Sequence, residues 1–317
     1  MKIVILDGQV MGGSASDFPA LQELGELTVY DITPPELVIP RIGDAEIVVV
    51  DKTPITEEIL KACPTIRFIA VLATGYNIVD VQAARRLGIP VANVPGYAGP
   101  VVAQATIALL LEAYSKVGIH DVSVHKGDWT KTPYFCYTCG PILEVSGKTL
   151  GIVGLGDIGT RVARIASAMG MNVITFTRTR REVDIPGLRF VSLEELLRES
   201  DVVSLHVPLF PETERMINRD ALALMKPDAL LINTSRGGLL DEEAVAEALN
   251  AGRIGGAALD VLAKEPMDPD CPLLTAKNCI ITPHIAWASD DAIKKIKEVT
   301  YQNVKAFLNG EEKNLVN

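Results

Sequence analysis

The sequence predicts an α/β protein with two lobes, each built on a doubly wound parallel sheet. Short apolar runs rich in β-branched residues alternate with helix-like segments along the chain, which is typical of parallel strands covered by helices on both faces. The alternation occurs in two series, separated by Gly/Pro punctuation at Gly96–Pro100. At about 100–200 residues per domain, the 317 residues also indicate about two domains.

The first series precedes the Gly/Pro punctuation. We predict strands at Ile3–Leu6, Leu27–Tyr30, Ile47–Val50 and Phe68–Leu72. We predict helices between them at Phe18–Leu24, Pro35–Arg41 and Thr56–Ala62. The first apolar run stops at Asp7, which is too early for the apolar region of a signal peptide.

A long apolar helix, Val101–Val117, is predicted after the punctuation and is expected to link the two lobes while staying buried. Residues 118–148 show no clear period and contain aromatics and two close cysteines. We therefore expect an extended excursion that packs on another subunit rather than into the core.

The second series begins at Lys148 and is the stronger of the two. Strands are predicted at Thr149–Val153, Asn172–Phe176, Asp201–Leu205, Ala229–Asn233, Gly256–Leu259 and Cys279–Thr282. Helices are predicted at Ile158–Met169, Leu193–Arg198, Asp220–Met225, Glu242–Asn250 and, at the end of the chain, Ser289–Leu308. Ser192 with Glu195 forms a capping box, and Asp241 is a good N-cap.

Composition excludes several classes of protein. Thirty basic against forty acidic residues give a net charge of −10, and an acidic surface repels nucleic acid. The apolar runs fall far short of the roughly 18–20 residues that a membrane-spanning helix needs.

Five cysteines in a long chain indicate reduced thiols and a cytoplasmic location. Cys136 and Cys139 form a C-x-x-C without a second pair, so we expect ordinary packing rather than a metal or redox site.

A glycine-rich turn opens the second series. The strand Thr149–Val153 runs into Gly154-Leu155-Gly156-Asp157-Ile158-Gly159 and then into a helix. The first glycine permits a tight turn, the second lets the backbone approach a pyrophosphate, and the third lets helix and strand pack closely. The helix N-terminus adds free N–H groups. The pattern predicts a dinucleotide site; the alternative is a purely structural turn.

The end of the next strand bears on the choice of dinucleotide. An acidic residue there would hold the ribose 2′-hydroxyl of NAD, but this position is Thr177, and arginines follow it. Arg178 and Arg180 are placed to pair with a 2′-phosphate. We therefore favour NADP over NAD; the alternative is a solvated basic turn that does not discriminate.

Three further segments at the carboxyl ends of late strands carry an arginine, a glutamate and a histidine: Ile232–Gly238, Ala258–Pro266 and Ile281–Trp287. Their order, Arg236, Glu265, His284, together with Val71–Asp80 and Asn93–Tyr97, strongly resembles the D-isomer-specific 2-hydroxyacid dehydrogenases. The resemblance spans most of the chain. In isolation each of the three residues would be an ordinary loop or packing residue.

The resemblance implies catalytic roles that the residue types support. Arg236 is a permanently charged fork that can clamp a 2-oxo acid and polarise its carbonyl. Histidine is the residue type that most often gives or takes a proton at physiological pH, so His284 can give a proton to the developing alkoxide. Glu265 would bond the other imidazole nitrogen, which fixes the tautomer and favours the protonated form.

The resemblance also implies binding residues. Backbone N–H groups around Ala73, Thr74 and Gly75 would meet the substrate carboxylate, and Trp287 would wall the pocket or pack at the lobe interface. Asp260 would contact the nicotinamide carboxamide; its alternative is a strand-end cap. Thr106 would face the nicotinamide ribose or bond its own helix backbone. The remaining cofactor contacts are assigned to Val207, Pro208, Thr213, Thr234 and Ser235.

Domain boundaries follow from where the chain crosses. We predict a discontinuous, flavodoxin-like substrate domain, residues 1–98 and 288–317, with a Rossmann dinucleotide-binding domain, residues 99–287, inserted into it. The cofactor is expected in the cleft between the lobes. A homodimer, held by the Val101–Val117 helix and the excursion after it, is expected from the family resemblance.

The loop residues indicate a substrate. Within the family, Ala73–Asn77, Val102–Gln104, Phe135–Cys136 and His284–Trp287 most resemble the glycerate dehydrogenases, also called hydroxypyruvate reductases. We therefore predict reduction of hydroxypyruvate to D-glycerate. Glyoxylate reductase or another D-2-hydroxyacid dehydrogenase is the alternative. A third possibility, from another class, is an NAD(H)-sensing binding protein that resembles the transcriptional corepressors of this scaffold.

Overall fold

The computed structural model describes residues 1–317. The chain divides into two compact units: unit 1 comprises Met1–Ala98 and Ala288–Asn317, and unit 2 comprises Gly99–Trp287. Each unit is an α/β structure with its own parallel sheet, so the predicted fold class is confirmed.

Unit 1 is built on a five-stranded parallel sheet in the order β2-β1-β3-β4-β5, the flavodoxin-like arrangement. Its strands are β1 Lys2–Ile5, β2 Glu26–Val29, β3 Ile47–Val50, β4 Phe68–Val71 and β5 Val91–Ala92. Its helices up to the crossing are α1 Pro19–Gln22, α2 Val38–Ile42, α3 Glu57–Ala62 and α4 Val81–Arg86. Strands β3 and β4 are buried at every position, as their unbroken apolar sequences require of central parallel strands.

Unit 2 carries a seven-stranded parallel sheet in the order β12-β11-β10-β9-β6-β7-β8. Its helices are α5 Gly99–Ser115, α6 Val117–His125, α7 Asp157–Ala168, α8 Leu193–Glu199, α9 Arg219–Leu224 and α10 Glu242–Asn250. Its strands are β6 Thr149–Val153, β7 Asn172–Phe176, β8 Arg189–Phe190, β9 Val202–Leu205, β10 Leu230–Asn233, β11 Gly256–Leu259 and β12 Cys279–Ile281. The strand order reverses between β6 and β9, where ligands bind in open sheets of this kind.

The last helix, α11 Asp290–Leu308, returns the chain to unit 1. The hydroxyl of Ser289 caps it by accepting from the Ala292 N–H at 3.1 Å. Phe307 stacks on Phe68 of β4 with ring centroids 4.6 Å apart. The terminal segment of the chain is therefore an integral layer of unit 1 rather than an appendage.

The structure corrects the helix predicted at Val101–Val117. That helix ends at Ser115, because Lys116 adopts a left-handed conformation with φ of 55°, and a separate helix, α6, begins at Val117. Helix α6 has no buried residue, so the expected excursion is part helical and stays outside the core. Strands β5 and β8 and helix α4 were not predicted; the strands have two residues each, too few to give a period.

The helices also bear on membrane association. None of them alone has both the length and the apolarity to cross a bilayer. Helices α5 and α6 meet that test only when taken as a pair, and they are bent by 59° where they join.

Candidate active site

The register of unit 2 aligns the residues that follow its strands. Val153, Leu205, Asn233, Leu259 and Ile281 are paired in sequence across β6, β9, β10, β11 and β12. The next residue of each strand therefore lies at one edge of the sheet: Gly154, His206, Thr234, Asp260 and Thr282. The glycine-rich turn and the segments that carry Arg236, Glu265 and His284 all start from this row.

The glycine-rich turn lies between β6 and α7. Gly154 has a φ of +99°, and a Cβ on it would lie 2.6 Å from the His206 carbonyl oxygen. A Cβ on Gly159 would lie 2.1 Å from the Gly154 carbonyl oxygen. Both positions therefore require glycine, the first for the turn and the second for the approach of helix to strand.

The space beside Gly156 is open, since a Cβ there would meet nothing within 4 Å. The N–H groups of Asp157, Ile158 and Gly159 belong to the first turn of α7, whose N–H groups have no partner within the helix. An uncrowded backbone at the positive end of a twelve-residue helix fits a pyrophosphate. Leu155 packs into the core beneath the turn at 5% exposure.

The end of β7 carries the residues predicted to choose between dinucleotides. Thr177 is half-buried, and its hydroxyl donates to the Thr179 carbonyl oxygen at 3.3 Å. Arg178 and Arg180 are exposed, and the Arg180 guanidinium lies 5.5 Å from the centre of the Phe190 ring. No carboxylate occupies the position of Thr177, and two cations border it.

The turn after β9 is closed by a threonine. Thr213 Oγ1 donates to the Pro208 carbonyl oxygen at 2.8 Å and accepts from the Phe210 N–H at 2.8 Å. These bonds fix the turn that Val207 and Pro208 begin. The structure thus gives Thr213 a turn-forming role, while its cofactor contact remains a prediction.

Thr106 is buried in α5 at 1% exposure, and its hydroxyl donates to the Val102 carbonyl oxygen at 2.8 Å. A hydroxyl has one proton, so the 2.9 Å contact with Thr234 is donated by Thr234. The bond to its own helix backbone is the alternative that the sequence left open for Thr106. Together the two hydroxyls tie α5 to the loop after β10.

That loop carries Arg236, and its shape is set by Asn233. The Asn233 side chain is fully buried; its Nδ2 donates to the Arg236 carbonyl oxygen at 2.8 Å, and its Oδ1 accepts from the Ser235 N–H at 3.0 Å. Ser235 Oγ in turn donates to the Leu205 carbonyl oxygen at 2.8 Å. The loop is therefore rigid under an exposed Arg236, whose guanidinium makes one bond, from Nη1 to the Ser235 carbonyl oxygen at 2.7 Å.

Glu265 and His284 form a pair. Glu265 Oε2 lies 2.6 Å from His284 Nδ1, and Glu265 Oε1 accepts from the Leu262 N–H at 3.0 Å. Both side chains are partly exposed, at 38% and 26% respectively. Because Nδ1 faces the carboxylate, Nε2 is the imidazole nitrogen left for a ligand.

Asp260 shapes the loop that carries His284. Its carboxylate accepts from Thr282 Oγ1 at 2.5 Å, from the Ile285 N–H at 2.9 Å and from the Ala286 N–H at 2.8 Å, while its carbonyl oxygen accepts from the His284 N–H at 2.8 Å. These bonds hold His284 at a φ of 54°, a region that side-chain-bearing residues seldom adopt.

Asp260 is thus the strand-end cap that the sequence gave as the alternative to a nicotinamide contact. Its carboxylate is 2% exposed and uses three of about four acceptor positions. The contact with the carboxamide stays a prediction.

The loops that bear the three catalytic candidates touch. A Cβ on Gly237 would lie 1.8 Å from the Leu262 carbonyl carbon and 2.2 Å from the Ala263 nitrogen. The backbone after Arg236 therefore packs directly on the backbone before Glu265. Since Glu265 bonds His284, the structure brings all three predicted catalytic residues into one cluster of loops within unit 2.

The predicted carboxylate-binding loop lies in unit 1, after β4. Its shape is fixed by Thr74 Oγ1, which donates to the Val94 carbonyl oxygen at 2.8 Å, and by Asn93 Nδ2, which donates to the Thr74 carbonyl oxygen at 2.7 Å. The N–H groups of Ala73, Thr74 and Gly75 have no acceptor within the chain. Trp287, the last residue of unit 2, is partly buried.

One histidine at the sheet edge behaves differently from His284. Burial lowers the pKa of His206 to about 4, so its imidazole is neutral at physiological pH. Its Nε2 pairs with Ser204 Oγ at 2.9 Å, and its Nδ1 is buried without a partner.

The cysteines show no arrangement for chemistry. All five are free, with Cys136 exposed and Cys139 partly buried. No group of three or more His, Cys, Asp or Glu side chains is placed to hold a metal ion.

Sequence reasoning missed two side chains that hydrogen-bond the loops of the candidate site, namely Asn233 and Glu242. Asn233 offered a signal, since a polar amide closes an otherwise apolar buried strand. Glu242 bonds the loop before Glu265, twenty-one residues away in sequence, and nothing in the local sequence announces that contact.

The chain belongs to the D-isomer specific 2-hydroxyacid dehydrogenase family, a family of oxidoreductases. The family's NAD binding domain model matches residues 107–286, more than half of the chain. This match covers the glycine-rich turn and the loops of Arg236, Glu265 and His284.

Among curated relatives, the chain is 46% identical over 321 residues to a hydroxypyruvate reductase of Blautia hydrogenotrophica, covering 100% of both chains. It is 40% identical over 324 residues to a glycerate dehydrogenase of Methylorubrum extorquens, covering 99% and 98%. It is 41% identical over 305 residues to a glyoxylate reductase of Korarchaeum cryptofilum, covering 94% and 91%.

Solved structures of dehydrogenases and reductases share the fold of the whole chain. A D-lactate dehydrogenase from Aquifex aeolicus in complex with NAD and lactic acid matches with a TM-score of 0.85 and 31% identity, covering 100% of this chain and 99% of that one. An acyclic imino acid reductase in complex with NADPH and D-Arg matches with a TM-score of 0.85 and 32% identity, covering 100% of both. The fold thus occurs in proteins solved with each of the two nicotinamide dinucleotides.

Proposed function

We propose that this enzyme reduces hydroxypyruvate to D-glycerate with a reduced nicotinamide dinucleotide. The observation that carries the proposal is the 2.6 Å pair between Glu265 and His284, in the same cluster of loops as Arg236. Full-length relatives named hydroxypyruvate reductase and glycerate dehydrogenase support the choice of substrate. Reduction of a 2-oxo acid needs a hydride at C2 and a proton at the carbonyl oxygen.

The dinucleotide would be held by Gly154–Gly159, with the pyrophosphate at the open backbone of Gly156. When bound, its nicotinamide supplies the hydride that C2 accepts. Arg236 provides a fixed cation whose remaining N–H donors clamp the substrate and polarise its carbonyl. Asn233 keeps the arginine loop from rearranging as it does so.

His284 supplies the proton. With Nδ1 bound to Glu265, Nε2 carries the proton that passes to the carbonyl oxygen as the alkoxide forms. The imidazole is left neutral and regains a proton from solvent, and in the oxidation direction it acts as the base. Asp260 orients the loop and Glu265 orients the ring.

The substrate carboxylate is assigned to the N–H groups of Ala73, Thr74 and Gly75. Three backbone donors without an acceptor in the chain are suited to an anion. Trp287 is retained as a wall of the pocket. The hydroxymethyl group of hydroxypyruvate favours a partly polar pocket, because a site that bonds the hydroxyl rejects analogues without it.

For the dinucleotide we propose NADP in preference to NAD. Thr177 replaces the carboxylate that would bond a ribose hydroxyl and repel a phosphate. Arg178 and Arg180 are exposed beside it and free of ion pairs to any carboxylate. They are therefore available for a 2′-phosphate.

Glyoxylate is the second candidate substrate, favoured by the 41% identical glyoxylate reductase. A panel of kcat/KM values for hydroxypyruvate, glyoxylate and pyruvate with each reduced dinucleotide decides between them. Our proposal predicts the highest value for hydroxypyruvate with NADPH. A higher value for glyoxylate would overturn the substrate, and a higher value with NADH would overturn the cofactor.

We further propose that the enzyme is a homodimer joined through α6 and the segment after it. Val117, Ile119 and Val122 on α6 are all at least half exposed, and Phe135 is 89% exposed. Apolar side chains gathered in one segment are typical of a surface covered by another chain. Sedimentation of the purified protein at the mass of two copies supports this, and sedimentation as one copy contradicts it.

We place the enzyme in the cytoplasm. Its five cysteines are free thiols, and free thiols are typical of reducing compartments. Fractionation of cells carrying the natural protein tests the assignment.

A further inference from the structure

We propose that Glu242 is a positioning residue for catalysis. It fixes the position of Leu262–Pro266, here called the glutamate loop, relative to Arg236. The inference rests on the proposed roles of Glu265 and His284. Glu242 Oε1 accepts from the Ala263 N–H at 2.6 Å. Ala263 lies two residues before Glu265 in the chain.

The glutamate loop gains from such an anchor because its residues after Leu262 lie outside the core. Ala263, Lys264, Glu265 and Pro266 are all exposed. Within the loop, Leu262 bonds the Glu265 carboxylate at 3.0 Å and Lys264 pairs with Asp268 at 2.6 Å. These two bonds are local to the loop and do not themselves set its position relative to α10.

The position of Glu242 is set by the core of unit 2. Glu242 is the first residue of α10, whose Ala244, Val245, Ala248 and Leu249 are buried in the core. The helix is capped by Asp241, which accepts from the Ala244 N–H at 3.1 Å. A carboxylate at this position is also favoured by the helix dipole. Through its bond to Ala263, Glu242 therefore ties an exposed loop to a helix that is held in the core.

Arg236 lies in the segment that joins β10 to α10, and Glu242 begins α10 at the end of that segment. Two contacts join this segment to the glutamate loop. The Gly237 backbone packs on Leu262 and Ala263, and the Glu242 carboxylate accepts from the Ala263 N–H. The two contacts fix Glu265 relative to Arg236, and through Glu265 they fix His284. Catalysis is sensitive to such placement, since an error of about 1 Å can cost about 10²-fold in rate.

Kinetics of Glu242 variants test the proposal. Glu242→Ala should lower kcat for hydroxypyruvate about tenfold or more, with KM and the dissociation constant of the reduced dinucleotide changed by no more than about twofold. Glu242→Gln should restore most of kcat, because the amide oxygen still accepts from the Ala263 N–H. Glu243→Ala, an exposed neighbour on the same helix, is the matched control and should leave kcat unchanged.

A double-mutant cycle separates positioning from general structural damage. If Glu242 acts through Glu265, then Glu242→Ala should cost little in a Glu265→Gln background. Additive losses in the cycle, an unchanged kcat in Glu242→Ala, or equal losses in Glu242→Ala and Glu242→Gln would each overturn the proposal.

Hydrogen exchange gives a readout independent of turnover. The Leu262–Glu265 amides should exchange faster in Glu242→Ala than in the unmodified protein, and not in Glu242→Gln or Glu243→Ala. If the unmodified protein has no activity on any 2-oxo acid while this exchange pattern holds, the proposed function fails and the anchoring contact stands. If activity is present and the exchange pattern is absent, the role of Glu242 fails alone.

Discussion

Glu265 divides its two carboxylate oxygens between His284 and its own loop: Oε2 lies 2.6 Å from the imidazole Nδ1, and Oε1 accepts from the Leu262 N–H at 3.0 Å. The carboxylate is thus oriented by the backbone before it orients the histidine. One residue therefore fixes both the imidazole tautomer and the direction in which Nε2 points.

Replacing Glu265 by glutamine should separate geometry from charge. The amide keeps the shape of the side chain but cannot stabilise an imidazolium, so kcat should fall on the order of 10²-fold, with a smaller change in KM. Steady-state kinetics with hydroxypyruvate measure this. A variant with unchanged kcat would show that the Glu265 charge has no part in proton transfer.

Gly237→Ala should disturb the site without touching a charged group. The added Cβ would lie 1.8 Å from the Leu262 carbonyl carbon, so the two loops must separate, and kcat should fall roughly 10²-fold. Gly238→Ala is the control, since its Cβ would meet only the end of the flexible Leu209 side chain, at 2.8 Å. Equal activity of the two variants would contradict the idea that backbone contact aligns the loops.

The double substitution Arg178→Ala with Arg180→Ala should weaken NADPH binding and spare NADH. Losing a charge-assisted contact with a 2′-phosphate should cost about tenfold in affinity or more. Titration of the nicotinamide fluorescence gives both dissociation constants. Equal weakening of both dinucleotides would remove the 2′-phosphate assignment.

His206 should make folding sensitive to pH. Its pKa is lowered to about 4 by burial, whereas an unfolded histidine titrates near about 6.5. Below about pH 6.5, the imidazole is protonated in the unfolded chain but stays neutral in the folded chain. The free energy of unfolding should therefore fall as the pH drops. The loss should be about 2 kcal/mol by about pH 5 and should stop growing below the folded value.

Denaturant unfolding of the unmodified protein and of His206→Gln measures this effect. The difference between the two free energies of unfolding should change between neutral pH and about pH 5. His125→Gln is the control, because the His125 side chain is 78% exposed. Parallel pH dependences of the unmodified protein and His206→Gln would contradict the account.

The sequence predicted the fold and the candidate residues because both are encoded locally. β-branched runs mark buried parallel strands, and the spacing of Gly154, Gly156 and Gly159 describes a backbone shape directly. The helix break at Lys116 could not be predicted in this way, because lysine has no preference for the left-handed conformation that it adopts there. The periodic signal therefore ran on through Val117.

The supports of the site were predicted less well. Asn233, Glu242 and the bonding of Asp260 depend on partners that the fold brings together from other strands and helices. Asp260 bonds residues twenty-five and twenty-six positions further along the chain. Residue type gave the chemistry of Arg236 and His284, but only the tertiary structure gives the bonds that orient them.

The most direct test of the central claim is the rate of hydride transfer in a single turnover of His284→Ala, followed by nicotinamide absorbance with hydroxypyruvate. Without the proton donor the rate should fall by roughly 10²–10⁴-fold, with the dissociation constant of the reduced dinucleotide unchanged within about twofold. A rate close to that of the unmodified enzyme would contradict the account, because the proton would then come from a group other than His284.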